Sequence, residues 1–230
     1  REALVIDPVD EADTIYKTAS DAGWTIKLIL ATHAHFDHIL ASKALKERTG
    51  APFIIHQEAA SMLAALPDQG LRFFGTRFPE AALPDQLLSN ESQTIALGAI
   101  KLETLYTPGH APGHVSFFMR EQKIVFCGDC LFNGGIGRTD LPGGSYDTLM
   151  HSIFDVLLPL GDDIGCVCGH GAGAAMHAVT RACSCGQGSR LGRVGQLVEE
   201  CRRHLRPTRI VHTGEDDGLH DSSTSTTDSK

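Results

Sequence analysis

Between residues 32 and 38 the chain reads Thr32-His33-Ala34-His35-Phe36-Asp37-His38, so four metal-competent side chains fall within six residues. The segment follows a continuous apolar run, Leu28-Ile29-Leu30-Ala31, and precedes a helix-like stretch. Imidazole and carboxylate are the ligands of a borderline cation such as Zn²⁺. A solvated surface can carry one or two histidines, but His-x-His-x-Asp-His directly after a buried strand implies a metal. The rest of the chain then has to supply the remaining ligands.

The pattern around this loop alternates strand and helix. Ala3-Leu4-Val5-Ile6 reads as a strand closed by Asp7-Pro8. Residues 11–22 read as a helix with Ile15, Ala19 and Ala22 on one face and Gly23 as its stop. Residues 26–31 form a buried strand, 38–48 a second helix, 52–56 a strand and 58–66 a short helix. Residues 67–92, rich in Pro, Gly and polar groups, are expected to be a long surface excursion. Residues 93–107 alternate around Gly98 as a hairpin, and 114–119 with 123–127 make the next one. Residues 145–160 read as a helix with Ser145 as N-cap, followed by a last strand over 164–168. This order predicts a layered α/β fold with a mixed sheet.

Three later places share one form, in which an apolar strand ends, Gly allows a tight turn, and His or Asp stands at it. They are Thr107-Pro108-Gly109-His110, Cys127-Gly128-Asp129 and Cys168-Gly169-His170. Ligands delivered from strand ends converge on one edge of a sheet. Gly beside a ligand permits close backbone approach. With the first loop, these make seven candidate ligands.

His33-x-His35-x-Asp37-His38, His110, Asp129 and His170 resemble, in order and type, the motif set of the metallo-β-lactamase superfamily. The likeness is best to its glyoxalase II-like (hydroxyacylglutathione hydrolase-like) hydrolases. It rests on Thr107-Pro-Gly-His-Ala-Pro-Gly-His114 and Val125-Phe-Cys-Gly-Asp-Cys-Leu-Phe132. Residues 134–144 resemble the short, single-domain bacterial branch. The resemblance implies a four-layer αβ/βα sandwich. His33, His35 and His110 would hold one metal, Asp37, His38 and His170 a second, and Asp129 would bridge them. Two Zn²⁺ are implied, or Fe or Mn in one or both sites. Metal-bound hydroxide would attack a small thioester, with Asp37 as both ligand and orienter of the hydroxide. Arg138 falls where such proteins use a cation for the substrate's glutathione part. Many of them have an aromatic residue where Asp140 stands, and their C-terminal helical domain has no counterpart in this sequence.

The resemblance covers residues 1–171, taken as the hydrolase domain. The family's pair of strands ahead of residues 2–7 is absent from the sequence, which is expected to leave a sheet edge exposed. Residues 172–230 are an atypical tail, and 221–230 have a disordered composition. Between 171 and 229 there are seven Arg and no Lys, and no aromatic residue follows Phe154. Two explanations stand for this shift: a divergent tail, or a change of coding frame near 165–172. Residues 195–204 have the pattern of one helix.

The bulk properties narrow the alternatives. A chain of 230 residues suits one core. A net charge of −8 disfavours nucleic acid as partner. No apolar stretch is long enough for a membrane span and no signal peptide is visible, so a cytoplasmic protein is expected. Seven cysteines, an odd number outside any small secreted framework, fit thiols in a reducing compartment. Nothing in the sequence sets an oligomeric state. His114 is expected behind the metals, His56 and His151 in structural roles. Cys127-x-x-Cys130 lacks the helix-opening context of a redox pair. The reading is a binuclear hydrolase of a small thioester. The alternatives are a mononuclear iron sulfur dioxygenase on the same fold, or an inactive fragment.

Overall fold

The computed structural model describes residues 1–171 in full, and beyond them only the backbone of residues 174–175, 209–212 and 219–220. Two six-stranded sheets lie face to face with helices on their outer sides, the four-layer sandwich expected from the sequence.

In chain order, the first half contains β1 (Glu2–Ile6), α1 (Ala12–Asp21), β2 (Thr25–Leu30), α2 (Phe36–Ile39), α3 (Ser42–Thr49), β3 (Phe53–His56), α4 (Ala60–Ala64), α5 (Leu66–Phe74) and β4 (Gln86–Leu88). There follow β5 (Thr94–Leu97), β6 (Ile100–Tyr106), β7 (Val115–Met119), β8 (Ile124–Gly128), β9 (Leu131–Phe132) and β10 (Gly135–Ile136). The last are α6 (Tyr146–His151), β11 (Gly165–Cys168), β12 (Ala174–Ala175), β13 (Arg209–His212) and β14 (Leu219–His220). The first sheet runs β14-β13-β1-β2-β3-β4 and the second β12-β11-β8-β7-β6-β5. Strands β1 to β4 pair in parallel, as does β11 with β8, while β5 to β8 form an antiparallel meander.

The period-two alternation of side chains in a strand builds the layers. In β1, Ala3 and Val5 face the outer helices while Leu4 and Ile6 face the opposite sheet. On the other sheet Phe117 and Phe126 point inward to meet them, and Phe118, Val125 and Cys127 point outward onto Leu149, Ile153 and Leu157. Strands buried on both faces read as continuous apolar runs.

Several expectations need correction. Residues 67–92 are not one surface excursion: α5 and β4 lie within them. Pro67 sits in the first turn of α5, where its missing N–H costs nothing, and Gly75 closes the helix at φ 70°. The helix expected over 38–48 is two, α2 and α3, separated at Leu40-Ala41. The helix expected over 145–160 keeps its Ser145 cap but changes winding, from α-helical through Tyr146–His151 to π-helical over Ser152–Leu157 and 3₁₀ over Leu158–Leu160. Pro159, which lacks a backbone N–H, falls in that last turn. The edge of β1 expected to be open is paired: β13 lies antiparallel to it, Ala3 opposite His212 and Ile6 opposite Arg209. Its backbone N–H and C=O groups therefore have ladder partners. The expectations of a helix over 195–204 and of disorder over 221–230 lie outside the described residues. No helix among the described residues is long and apolar enough to cross a membrane.

Candidate metal centre

The strand ends deliver the expected residues to one edge of the sandwich. The loop 31–38 leaves β2, His110 lies between β6 and β7, Asp129 follows β8, and His170 follows β11. Three groups have one ligand atom per residue mutually within 4.8 Å: His33, His35 and His110; His33, His38 and Asp129; Asp37, His38 and His170. All seven candidate ligands are thus brought together. Asp129 lies between the groups: its carboxylate oxygens are 3.5 Å from His110 Nε2, 3.4 Å from His38 Nε2 and 3.2 Å from His170 Nε2.

Hydrogen bonds behind the histidines orient their rings. Asp7 accepts from the Thr32 amide (2.7 Å), the Thr32 hydroxyl (2.8 Å) and His38 Nδ1 (2.9 Å). Because the Thr32 hydroxyl donates to Asp7, its oxygen accepts from His33 Nδ1 at 3.0 Å. His110 Nδ1 donates to the Arg138 carbonyl at 2.8 Å. In His33 and His110 the Nδ1 proton is engaged outside the centre, so Nε2 carries its lone pair inward; at His38 burial opposes charge, but Asp129 and Asp7 outweigh it and raise the ring well above the ordinary histidine value. His114 stands behind, as expected: its Nδ1 meets Thr107 Oγ1 at 3.0 Å and its Nε2 accepts from the Asp129 amide at 3.2 Å.

The donor set fits a cation. His33 Nε2, His35 Nδ1 and His110 Nε2 crowd together at 3.0 and 2.9 Å, with two of their protons already committed elsewhere. Inward lone pairs at such spacing repel unless a positive charge lies among them. His38 Nε2 and Asp129 Oδ1 are buried without a hydrogen-bond partner, a costly arrangement unless another group satisfies them. Burial pushes His35 down to about 3 and His33 and His110 below the ordinary histidine value, which keeps these rings neutral and ligand-competent. At Asp129 burial opposes ionisation, but His38 and His170 outweigh it and hold the carboxylate well below its usual range. Burial likewise works against charge on His170, yet Asp129 lifts it to about 9.

Glycine makes the approach possible. At Gly169 a Cβ would lie 2.2 Å from Asp129 Oδ1 and 2.8 Å from His38 Cε1. At Gly128, with φ 47°, it would press within 2.7 Å of both His114 Nε2 and Thr32 Oγ1.

A cavity of about 1000 Å³ opens onto the centre. His35, Asp37, His110, Asp129 and His170 form its floor, and Phe36, Met62, Phe73, Phe74, Phe132 and Ile136 contribute to its apolar walls. Arg138 lines it too, but its Nε and Nη2 both donate to Asp140 at 2.7 Å.

Sequence reasoning missed three supports: Asp7, Thr32 and the carbonyl of Arg138. Asp7 had a signal, an acidic residue at a strand end, but no glycine beside it. His56 has the structural role expected of it, accepting from the Glu58 amide at 3.2 Å and stacking on Tyr106 at 5.0 Å. His151 pairs with Asp155 on the surface. Cys127 and Cys130 are buried at a strand-to-turn junction, and burial raises both thiols above their ordinary value. The glycines at 134–135 belong to the tight β9–β10 hairpin.

A four-layer sandwich with His and Asp clusters on its strand-end edge describes a known class, and the comparisons agree. The family model of the metallo-β-lactamase superfamily matches residues 1–170, and the chain belongs to that superfamily. It is 41% identical over 173 residues to the hydroxyacylglutathione hydrolase GloC of Haemophilus influenzae, covering 75% of this chain and 81% of that protein. Among solved structures it is similar to the BLEG-1 B3 metallo-β-lactamase (TM-score 0.72, 35% identity, 77% of this chain and 85% of that one). It is also similar to TTHA1623 in a di-iron-bound form (TM-score 0.70, 34% identity, 77% of this chain and 86% of that one).

Proposed function

We propose that this protein is a binuclear metal-dependent hydrolase of a small thioester of the hydroxyacylglutathione type. The observation that carries the reading is the convergence of two ligand groups, with Asp129 between them, on the floor of one cavity. Similarity to GloC, a hydroxyacylglutathione hydrolase, supports the substrate class.

In this reading His33, His35 and His110 would hold the first cation, Asp37, His38 and His170 the second, and Asp129 would be shared between them. Zn²⁺ suits imidazole and carboxylate donors, as do iron and manganese. When bound, the two cations lower the pKa of water toward neutrality and polarise the thioester carbonyl. The protein's residues do the rest. Asp7, Thr32 and the Arg138 carbonyl hold the imidazoles in one tautomer and orientation. Asp37, 3.3 Å from His170, would serve as a ligand and orient the water toward the carbonyl. The apolar walls lower the local dielectric beside the centre and strengthen the electrostatic contacts at its floor. The leaving thiol needs little acid assistance, because its pKa is low.

The rival on this fold, an iron sulfur dioxygenase, needs one iron held by two His and one Asp. The completeness of the second group favours the hydrolase. Metal analysis of the purified protein, with S-lactoylglutathione as substrate, tests the reading. Two zinc per chain with turnover is expected. One iron with oxygen consumption on glutathione persulfide would replace it with the rival, and a metal-free, inactive chain would make it a fragment without the activity.

A further inference from the structure

The cavity over the metal centre has a wall that the metal motifs do not supply. Met62 on α4, Ala65 at the junction of the two helices, and Gln69, Arg72 and Phe73 on α5 all line it; Gln69 lies three and four residues before Arg72 and Phe73, which puts those three on one face of α5. This wall is fixed against the histidine loop. Gln69 Nε2 donates to the carbonyls of Met62 at 3.1 Å and Ala34 at 3.5 Å. Phe74 packs edge-on against Phe36 at 5.1 Å, and Phe78 meets both rings at 5.6 and 5.5 Å. At Gly70 a Cβ would fall 2.4 Å from the Thr76 carbonyl, so the chain turns back tightly beneath the helix. Arg72 is therefore held by its backbone at a set place on the rim of the cavity.

Two arginines line the cavity, and they are not equivalent. Arg138 is paired through two nitrogens with Asp140, and a substrate carboxylate would have to displace that carboxylate. Arg72 has no carboxylate partner among the described residues; its guanidinium carbon lies 5.8 Å from the Phe73 ring. Asp68, one turn earlier on the same helix and itself part of the cavity lining, has Arg77 at 3.9 Å. A volume of about 1000 Å³ accommodates a peptide-sized thiol beside a small acyl group.

We propose that Arg72 is the cation that selects substrates with a carboxylate on the thiol part, with the aromatic wall of α5 bearing the apolar portion between that carboxylate and the thioester. The proposal rests on the thioester-hydrolase reading and names the residue that sets its substrate class. An Arg guanidinium presents paired donors to a carboxylate, which a lysine matches only as a point charge. Among the described residues no hydrogen bond or ion pair links Arg72 to a metal-group residue, so its contribution is to binding.

The test uses the full, metal-loaded chain and a thioether that cannot be hydrolysed, S-hexylglutathione, measured by titration calorimetry. Arg72→Gln should weaken its binding about tenfold, the scale of one charge-assisted contact. Arg72→Lys should recover about half of that loss on a logarithmic scale. The diethyl ester of the same thioether should bind wild type and Arg72→Gln alike, since the cycle then has no charge to couple. Arg138→Gln should cost less than Arg72→Gln. Equal binding of the acid to wild type and Arg72→Gln would overturn the proposal, as would a loss carried by Arg138→Gln alone or no binding to wild type. Turnover of S-lactoylglutathione separates the two ideas. Wild-type turnover with an unchanged KM in Arg72→Gln leaves the hydrolase and removes the anchor. Arg72-dependent binding without any turnover keeps the anchor and removes the hydrolase.

Discussion

His38 Nδ1 lies 2.9 Å from Asp7 Oδ2, and both side chains are buried. That contact ties the first strand of the sheet to the loop after the second. The same carboxylate accepts from Thr32, whose hydroxyl in turn accepts from His33. One aspartate thus orients a histidine of each proposed metal group. Removing such a partner costs roughly 10–100-fold in metal affinity. Asp7→Ala is expected to lose that much for both cations in a competitive chelator titration. Affinities within twofold of wild type would show that the rings need no such support.

Asp37 is predicted to serve the second cation and the attacking water together. Asp37→Ala should bind one cation tightly instead of two and lose roughly a hundredfold or more in kcat, the scale of general acid–base assistance. Metal analysis and steady-state kinetics on S-lactoylglutathione measure both. A variant with near-full activity would refute the assignment.

Gly169 is predicted to be irreplaceable for steric reasons. The Cβ of Gly169→Ala would lie 2.2 Å from Asp129 Oδ1, closer than real contacts allow. Either the Asp129 carboxylate or the turn after β11 must move. The variant should hold less metal than wild type and unfold at a lower temperature. Wild-type metal content and melting temperature would contradict the geometry.

A contact between the sheets, away from the metals, has a pH signature. Tyr106 on β6 donates to Glu58, just after β3, at 2.6 Å. That hydrogen bond is the main cause that draws the Glu58 carboxyl below the ordinary glutamate value. A carboxyl depressed on folding adds stability above its unfolded pKa, and the gain is lost as pH falls through the folded value. Tyr106→Phe should cost about 1 kcal/mol at pH 7, the low end for a charged acceptor because the pair is exposed. The difference between the two proteins should shrink as pH falls below the glutamate range. Urea titrations across pH measure it; a constant gap would place the stabilisation elsewhere.

Most of the metal centre was legible because its ligands obey a local rule: apolar strand, glycine, then His or Asp. That rule found His110, Asp129 and His170, and the dense loop 33–38 needed no rule. Asp7 escaped because its close approach is made by its side chain, at a strand end followed by proline. The Arg138 carbonyl escaped because a backbone acceptor leaves no mark in side-chain chemistry. The α5 helix is hidden in the sequence because Pro67 and Gly70 carry loop composition. Tertiary contacts reverse that reading, through Gln69 to the histidine loop and Phe74 to Phe36. The pairing of β1 with β13 joins residues about two hundred positions apart, beyond any local pattern.

In the proposed reaction two cations together carry thioester hydrolysis. The most direct measurement is the initial rate of S-lactoylglutathione hydrolysis as zinc is titrated into chelator-stripped protein. The rate should climb to a break at two equivalents per chain. A break at one equivalent, or no hydrolysis at any zinc level, would contradict it.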